Sequence, residues 1–207
     1  MAGKIVAIVG SYRKGGVTDS AVSAALEAAQ SLGVKTSIVY LTDKHIEFCT
    51  NCRSCTQAAG TARGRCIQND DMDSILMEVE ASDGLILAAP INFFNVTAVM
   101  RKFIERLVCY SYWPWDMNTY PRYRQPSTAR RAVVITSSAC PPYAGRILMP
   151  GALSILKTSA KCMGARVIKS LFFGVNYNDK QFRLSDRDIQ KARLAGEKLA
   201  LSIEQRI

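Results

Sequence analysis

Four cysteines crowd into the run CTNCRSCTQAAGTARGRC at residues 49 to 66. Cys49, Cys52 and Cys55 are spaced by two residues, and Cys66 follows after a gap of ten. Thiolates are soft ligands, and two-residue gaps let neighbouring sulfurs turn toward a common centre, so the spacing suits a small metal cluster or ion. A closed tetrahedral zinc site takes the same four sulfurs, although zinc ribbons usually supply them as two distant pairs. Free, redox-active thiols are the third reading. His45, the only histidine of the chain, lies just upstream. It reads as a solvated loop residue, because four thiolates already complete a site.

A second stretch suits an anion. GSYRKGGVTD, residues 10 to 19, follows an apolar run and precedes a helical pattern. A phosphate placed there meets backbone N–H groups at a helix start, the Ser11 and Thr18 hydroxyls and the Arg13 guanidinium. Gly15 and Gly16 let the backbone close around it. The stretch matches neither GxGxxG nor GxxxxGK[ST], which argues against a dinucleotide fingerprint and a P-loop.

Other chemistries are disfavoured. With one histidine, no GxSxG elbow and no cluster of carboxylates beside the phosphate stretch, a hydrolase constellation is missing, so the chemistry is expected to belong to a cofactor. The net charge of +10, from 27 basic and 17 acidic residues, favours anionic ligands. The basic residues are dispersed and no nucleic-acid motif accompanies them, so no nucleic-acid partner is expected. The start of the chain has no signal-peptide order and no apolar run reaches membrane-spanning length, which places the protein in the cytoplasm with no membrane partner. Cys109, Cys140 and Cys162 lie in apolar or small-residue surroundings and are expected to be buried, inert thiols.

The elements that must position these residues alternate along the chain. Strands are expected over residues 4 to 10, 35 to 41, 84 to 89, 131 to 138 and 165 to 173. Helical stripes intervene: Val22, Ala25, Leu26 and Ala29 after capping candidates Thr18, Asp19 and Ser20; Met72, Ile75, Leu76 and Val79; Val96, Val99, Met100, Phe103 and Leu107; residues 151 to 163; and Ile189, Ala192, Gly196, Leu199 and Ile203. Five strands with helices between them predict a doubly wound, flavodoxin-like α/β fold with a five-stranded parallel sheet in the order 2-1-3-4-5. The expected organisation is one domain over residues 1 to 207, with a cysteine-rich insertion after strand 2 at 42 to 69 and an aromatic, arginine-rich one at 110 to 130. The aromatics of the second insertion, Trp113 and Trp115 among them, suit a flavin or quinone cap or an interface between subunits.

These motifs carry a resemblance. GSYRKGGVTD resembles the GSPRKxGNT loop that holds the FMN phosphate in the NADPH-dependent FMN reductase family, with Val17 where that family has asparagine. APINFFNVTAVMRKFIER, residues 89 to 106, is similar to the family's PxYFGxVxxxxKxFIDR segment beside the flavin ring, with Asn92 and Phe94 in place of tyrosine and glycine. The DDM at residues 70 to 72 also matches.

The resemblance, which runs from Lys4 to about Cys109, implies FMN held by Ser11, Arg13, Gly16, Val17 and Thr18 at the phosphate and by Pro90, Ile91, Asn92, Phe93, Phe94 and Asn95 beside the ring; Ser137 and Ser138, at the end of the fourth strand, are added to the ring site by fold order alone. It implies no catalytic side chain, NADPH or NADH as the electron donor, and a quinone, flavin or redox protein as the acceptor. A homo-oligomer, dimer or tetramer, goes with it. The cysteine loop resembles that of the iron-sulfur flavoproteins within the family, which implies a four-iron four-sulfur cluster on Cys49, Cys52, Cys55 and Cys66. The competing readings are a non-enzymatic FMN or cluster electron carrier or redox sensor, and a zinc- or thiol-stabilised binding protein.

Overall fold

The computed structural model describes residues 3–124, 130–174 and 183–204. Its centre is a parallel sheet of β1 (Lys4–Val9), β2 (Lys35–Tyr40), β3 (Gly84–Asn92), β7 (Arg130–Ser138) and β8 (Ala165–Gly174), in the spatial order β2-β1-β3-β7-β8. That is the order 2-1-3-4-5 expected from the sequence. The inner strands are near-continuous runs of β-branched and small apolar residues because both of their faces are covered. Alternation along each strand divides these residues between two cores. Val6, Ile8, Leu85, Leu87 and Val134 face α2 (Met72–Glu80), α3 (Ala98–Arg106) and α5 (Pro150–Cys162). Ile5, Ala7, Val9, Ile86, Ala88, Val133 and Ile135 face α1 (Val17–Ser31) and α6 (Asp186–Glu204). The α1 and α6 helices approach so closely that a Cβ at Gly196 would stand 1.9 Å from the Ala25 carbonyl oxygen, which explains a glycine in the middle of a long helix.

Four features depart from the sequence expectation. The first helix starts at Val17 with Gly16 as its cap, so Thr18 and Asp19 lie inside the first turn instead of capping it. The third strand runs on past residue 89 to Asn92 and turns back into β4 (Asn95–Val96). A short helix, α4 (Pro142–Leu148), precedes α5 where no element was expected. The second insertion contains a small antiparallel pair, β5 (Ser111–Tyr112) and β6 (Arg122–Tyr123), while residues 125 to 129 of it lie outside the described residues. No helix among the described residues is long and apolar enough to cross a membrane.

The strand order reverses between β1 and β3, and the loops at the carboxyl ends of β1, β3 and β7 therefore border one crevice. Of the two long insertions, the cysteine loop leaves β2 at a sheet edge and is covered by the second.

Candidate functional site

The phosphate stretch is braced from several sides. Ser11 Oγ accepts the Arg13 N–H at 3.2 Å and donates to the Arg13 carbonyl at 3.1 Å, closing a tight turn. The buried Asp19 carboxylate accepts the Gly15 N–H at 2.6 Å and the Tyr40 hydroxyl at 2.9 Å. Burial first, and the bond to Asp19 next, push the Tyr40 phenol up to about 12. Lys14 is drawn away to Asp43 at 2.6 Å and over the Tyr40 ring, whereas Arg13 is exposed and makes no side-chain hydrogen bond or ion pair among the described residues. From the other side of the loop, Thr97 donates to the Gly10 carbonyl at 2.5 Å.

No side chain caps the start of α1. The first N–H groups of a helix have no partner within the helix, so at this end they are open to an anion. Inside the turn, Thr18 Oγ1 lies 2.7 Å from Ser137 Oγ at the end of β7. One hydroxyl donates to the other, which leaves one proton of the pair available to a further acceptor.

These groups line a cavity of about 460 Å³, within the range of small-molecule sites. Of the residues singled out in the sequence, Ser11, Arg13, Gly16, Val17, Thr18, Pro90, Ile91, Asn92, Ser137 and Ser138 all line it. Tyr12, from the phosphate stretch, and Ala139, from the loop after β7, line it too. Phe93, Phe94 and Asn95 do not line it. They form the turn between β3 and β4, where both phenylalanines have left-handed backbone, φ 46° and 68°, and Phe93 is 96% exposed. The two rings meet edge to face at 5.9 Å. A two-residue hairpin turn of this type, I′, needs positive φ at both positions, a role normally filled by Asn and Gly. That requirement accounts for the family's glycine where this chain has Phe94.

The second site is the cysteine loop. Cys49, Cys52, Cys55 and Cys66 line one cavity of about 270 Å³, together with Arg53, Arg106 and Trp113. Left-handed backbone at Asn51 and Arg53 folds the two-residue gaps inward, and a 3-10 turn at Ser54–Thr56 carries Cys55. Gly64 passes so close beneath that a Cβ there would fall 1.6 Å from the Cys55 carbonyl oxygen, while its N–H donates to the Cys109 carbonyl at 2.8 Å.

All seven cysteines are free thiols. Burial, followed by the other three cavity sulfurs, pushes the Cys55 thiol up; hydrogen bonding from Ser54 brings Cys52 down. Cys109 and Cys162 are buried, with burial pushing each to about 12, as inert thiols should be. Cys140 is only half-buried on the loop after β7, where its N–H donates to Ser138 Oγ. The polar serine, not an apolar pocket, sets its surroundings, which corrects the expectation for that residue.

Among the described residues no three Cys, His, Asp or Glu side chains form a group that closes on a metal ion. Tetrahedral thiolates on one zinc, each at about 2.3 Å, need sulfurs within roughly 4 Å of one another. Four thiols lining one cavity supply a sulfur set that either a zinc ion or a four-iron four-sulfur cluster could take once the loop closes on it. His45 is 71% exposed and pairs with Glu47 at 2.9 Å, away from any ligand role.

Arginines hold this loop, a role the sequence did not indicate. Arg106, from the last turn of α3, is buried against Asp70 at 2.5 Å and 3.2 Å, donates to the Glu47 carbonyl at 2.8 Å, and reaches Cys66 Sγ at 3.5 Å. Burial pushes the Asp70 carboxyl up, but the Arg106 bonds and the Glu47 and Met72 N–H groups outweigh it and hold Asp70 below the usual carboxylate range. Arg53 lies between the Trp113 and Trp115 rings, 3.6 Å and 4.0 Å from their centroids. Two aromatics considered above as a flavin cap or a subunit contact therefore sit on the cysteine loop. The separations of these partners in sequence, 59 residues for Arg106 and Glu47 and 60 for Arg53 and Trp113, hide them from any local pattern.

The sequence model of the family described as NADPH-dependent FMN reductase matches residues 3–177. An iron-sulfur flavoprotein from Archaeoglobus fulgidus is 30% identical over 208 residues, which cover 98% of this chain and 81% of that protein. An iron-sulfur flavoprotein from Methanosarcina thermophila is 34% identical over 105 residues, 51% of this chain and 52% of its own length. The solved NAD(P)H:quinone oxidoreductase of Methanothermobacter marburgensis shares the fold, with a TM-score of 0.70 at 14% identity over 96% of each chain.

Proposed function

Because the chain belongs to the NADPH-dependent FMN reductase family, and is an FMN-dependent oxidoreductase, we propose that the strand-end cavity holds FMN and the cysteine cavity holds a four-iron four-sulfur cluster. When bound, FMN supplies a hydride acceptor that can return electrons, and the cluster supplies one-electron transfer. The observation that carries the reading is the convergence on one cavity of suitable size of the α1 start, which no side chain caps, Arg13, which has no ion-pair partner among the described residues, and the ends of three parallel strands.

In this reading the Val17 and Thr18 N–H groups, the Arg13 guanidinium and the free proton of the Thr18–Ser137 pair hold the phosphate. Val17 serves through its backbone alone. Ser11 shapes the turn through its two bonds to Arg13 and is not a phosphate donor. Pro90, Ile91 and Asn92 on one side, and Ser138 and Ala139 on the other, border the ring. No side chain acts as a catalytic acid or base. Tyr12, 57% exposed at the cavity wall, with Phe93 and Phe94 on the hairpin beyond it, favours a planar acceptor such as a quinone or a second flavin.

At the second cavity, Cys49, Cys52, Cys55 and Cys66 are the ligands. Support for metal ligation comes from the four sulfurs lining one cavity. The names of the two curated relatives point the same way.

The test is the visible spectrum and the iron and sulfide content of protein purified without oxygen, followed by addition of NADPH and of NADH. Flavin bands that bleach with one of the nucleotides, and iron equal to sulfide at about four per chain, are expected. Flavin bands that persist would turn the reading into an electron carrier. No bands and no iron would end it.

A further inference from the structure

Two guanidinium groups that hold the cysteine loop, those of Arg53 within it and Arg124 from the second insertion, are not matched by carboxylates among the described residues. Arg53 donates to the Trp113 carbonyl at 2.6 Å and to the Pro114 carbonyl at 3.3 Å, and is stacked between two indoles. Arg124 is 5% exposed and donates only to backbone carbonyls: Ser111 at 3.0 Å, Ala58 at 2.7 Å, Gly60 at 3.4 Å and Cys55 at 3.1 Å. Neither has an ion-pair partner among the described residues. Other cations in the same region do: Arg63 pairs with Asp73 and Glu80, and Arg106 with Asp70. A buried charge without an opposite charge is expensive to keep, and carbonyl dipoles offset only part of that penalty.

The unmatched charges lie beside the four thiols. Arg53 lines the cavity itself, and its Nε–H is buried with no acceptor of any kind. Arg124 is bonded to the carbonyl of the ligand residue Cys55. Four thiolates on a four-iron four-sulfur core of charge 2+ carry a net double negative charge. We infer that Arg53 and Arg124 are the counter-charges of this dianionic group, and that Arg53 Nε–H is a donor to one of its sulfurs. The inference rests on the cluster reading given above and adds to it a role for two residues that are not ligands.

The physical consequence concerns reduction. Reduction adds a further negative charge to the cluster, and fixed positive charge with a hydrogen bond to sulfur stabilises the more negative state. Arg53 is therefore a positioning and tuning residue, acting on how readily the site accepts an electron. The stack of Trp113, Arg53 and Trp115 keeps the guanidinium in place and holds water away from its faces.

The experiment is a potentiometric titration with dithionite as reductant, in which the reduced cluster is quantified by electron paramagnetic resonance, on wild type and three variants. Arg53→Gln is expected to lower the reduced-to-oxidised ratio at a fixed applied potential by at least tenfold, which is 59 mV for a one-electron couple. Arg53→Lys, which keeps the charge, is expected to stay within threefold of wild type. Gln57→Glu keeps Oε1 as the acceptor of the Trp115 backbone N–H, at 3.0 Å in the wild type, gives up the Nε2 donation to the Arg53 carbonyl, and adds a carboxylate to the same loop. It is expected to shift the ratio in the same direction as Arg53→Gln, and it serves if Arg53→Gln does not fold. Iron and sulfide content and FMN content are measured on every sample. Wild type without iron and sulfide defeats the cluster reading itself. A loaded cluster whose ratio is unchanged in Gln57→Glu, and in Arg53→Gln where that variant folds, overturns the counter-charge role and leaves the cluster reading standing.

Discussion

Thr18 and Ser137 are 119 positions apart, yet their hydroxyl oxygens lie 2.7 Å apart, tying the start of α1 to the end of β7 at the wall of the strand-end cavity. Neither residue caps a helix or completes a turn. The pair adds a polar tie at one end of two elements that also pack against each other through Val133, Ile135 and the apolar face of α1.

Thr18→Val keeps the shape of the side chain and removes its hydroxyl. It leaves Ser137 Oγ enclosed without a partner, which costs about 1–3 kcal/mol. The expected outcome is a fall in Tm of roughly 2–4 °C for each kcal/mol in a chain of this size, and FMN binding weaker by about tenfold, or about 1.4 kcal/mol. Combining it with Ser137→Ala removes both partners, so the double variant should lose less stability than the two single losses added together. Calorimetry of unfolding and fluorescence titration with FMN check both parts. Additive losses would mean that the two hydroxyls do not act as a pair.

Thr18 also shows where the sequence was readable and where it was not. The strand order followed from apolar runs such as those of β1 and β3, whose residues need cover on both faces whatever their partners. The motif residues around GSYRKGGVTD gathered on one cavity because a turn at a strand end leaves little freedom. Thr18 looked like a cap because capping is a local pattern, but its hydroxyl is taken by a residue more than half the chain away. The α4 helix was hidden for the opposite reason: Tyr143, Ile147 and Leu148 are exposed, so its apolar residues carry no buried stripe. Arg124 read as dispersed surface charge, since its partners are carbonyls supplied by other loops, and the parts played by Arg53 and Arg106 were hidden because the rings, carbonyls and carboxylate they meet are far away in sequence.

Tyr40 gives the loop a pH dependence. Its pKa is raised in the folded state, to about 12, first by burial and then by its bond to Asp19, against an unfolded value of about 10. A raised pKa means stability that is fully present below pH of about 10 and lost as the pH climbs through the folded value. Tyr40→Phe removes the phenol, leaves Asp19 with the Gly15 N–H as its remaining bond partner from that loop, and should be less stable than wild type at neutral pH. The gap should close between pH 10 and about 12, as wild type loses the same bond. Urea unfolding of both proteins at a series of alkaline pH values measures it. A gap that stays constant across that range would remove Tyr40 from the account.

The hairpin at Phe93 and Phe94 holds two aromatic residues in left-handed backbone, with φ of 46° and 68°. Such residues typically cost about 1–3 kcal/mol each. Phe94 is 64% exposed, so little packing is lost when its ring is removed. Phe94→Gly relieves the strain, offset in part by about 0.5–1 kcal/mol of added freedom in the unfolded chain. The net expectation is a modest gain in stability, with a Tm about 2–4 °C higher. If the rings serve a planar acceptor, as proposed above, the same variant should raise KM for a quinone several-fold while leaving FMN affinity unchanged. Thermal unfolding together with steady-state kinetics separates the two effects. A lower Tm would show that the rings stabilise the fold and are not kept against strain.

Gly64 carries the last prediction, because it fixes the floor of the cysteine cavity without supplying a ligand. The space above its Cα is filled by the Cys55 carbonyl oxygen, only 1.6 Å from where a Cβ would stand. That neighbour is backbone, and it is held further by the Arg124 bond at 3.1 Å, so it cannot rotate out of the way as a side-chain tip would. Gly64→Ala must therefore move one side of the loop against the other, carrying Cys55 and Cys66 apart, while the strand ends that line the cavity proposed for FMN are untouched. Iron and sulfide retained after anaerobic reconstitution should drop below half of the wild-type level, with FMN affinity within about twofold, a difference of about 0.4 kcal/mol. Full iron content in Gly64→Ala would show that the loop can open to admit the methyl group and still bring its thiols together, and that the close approach at Cys55 is not what shapes the site.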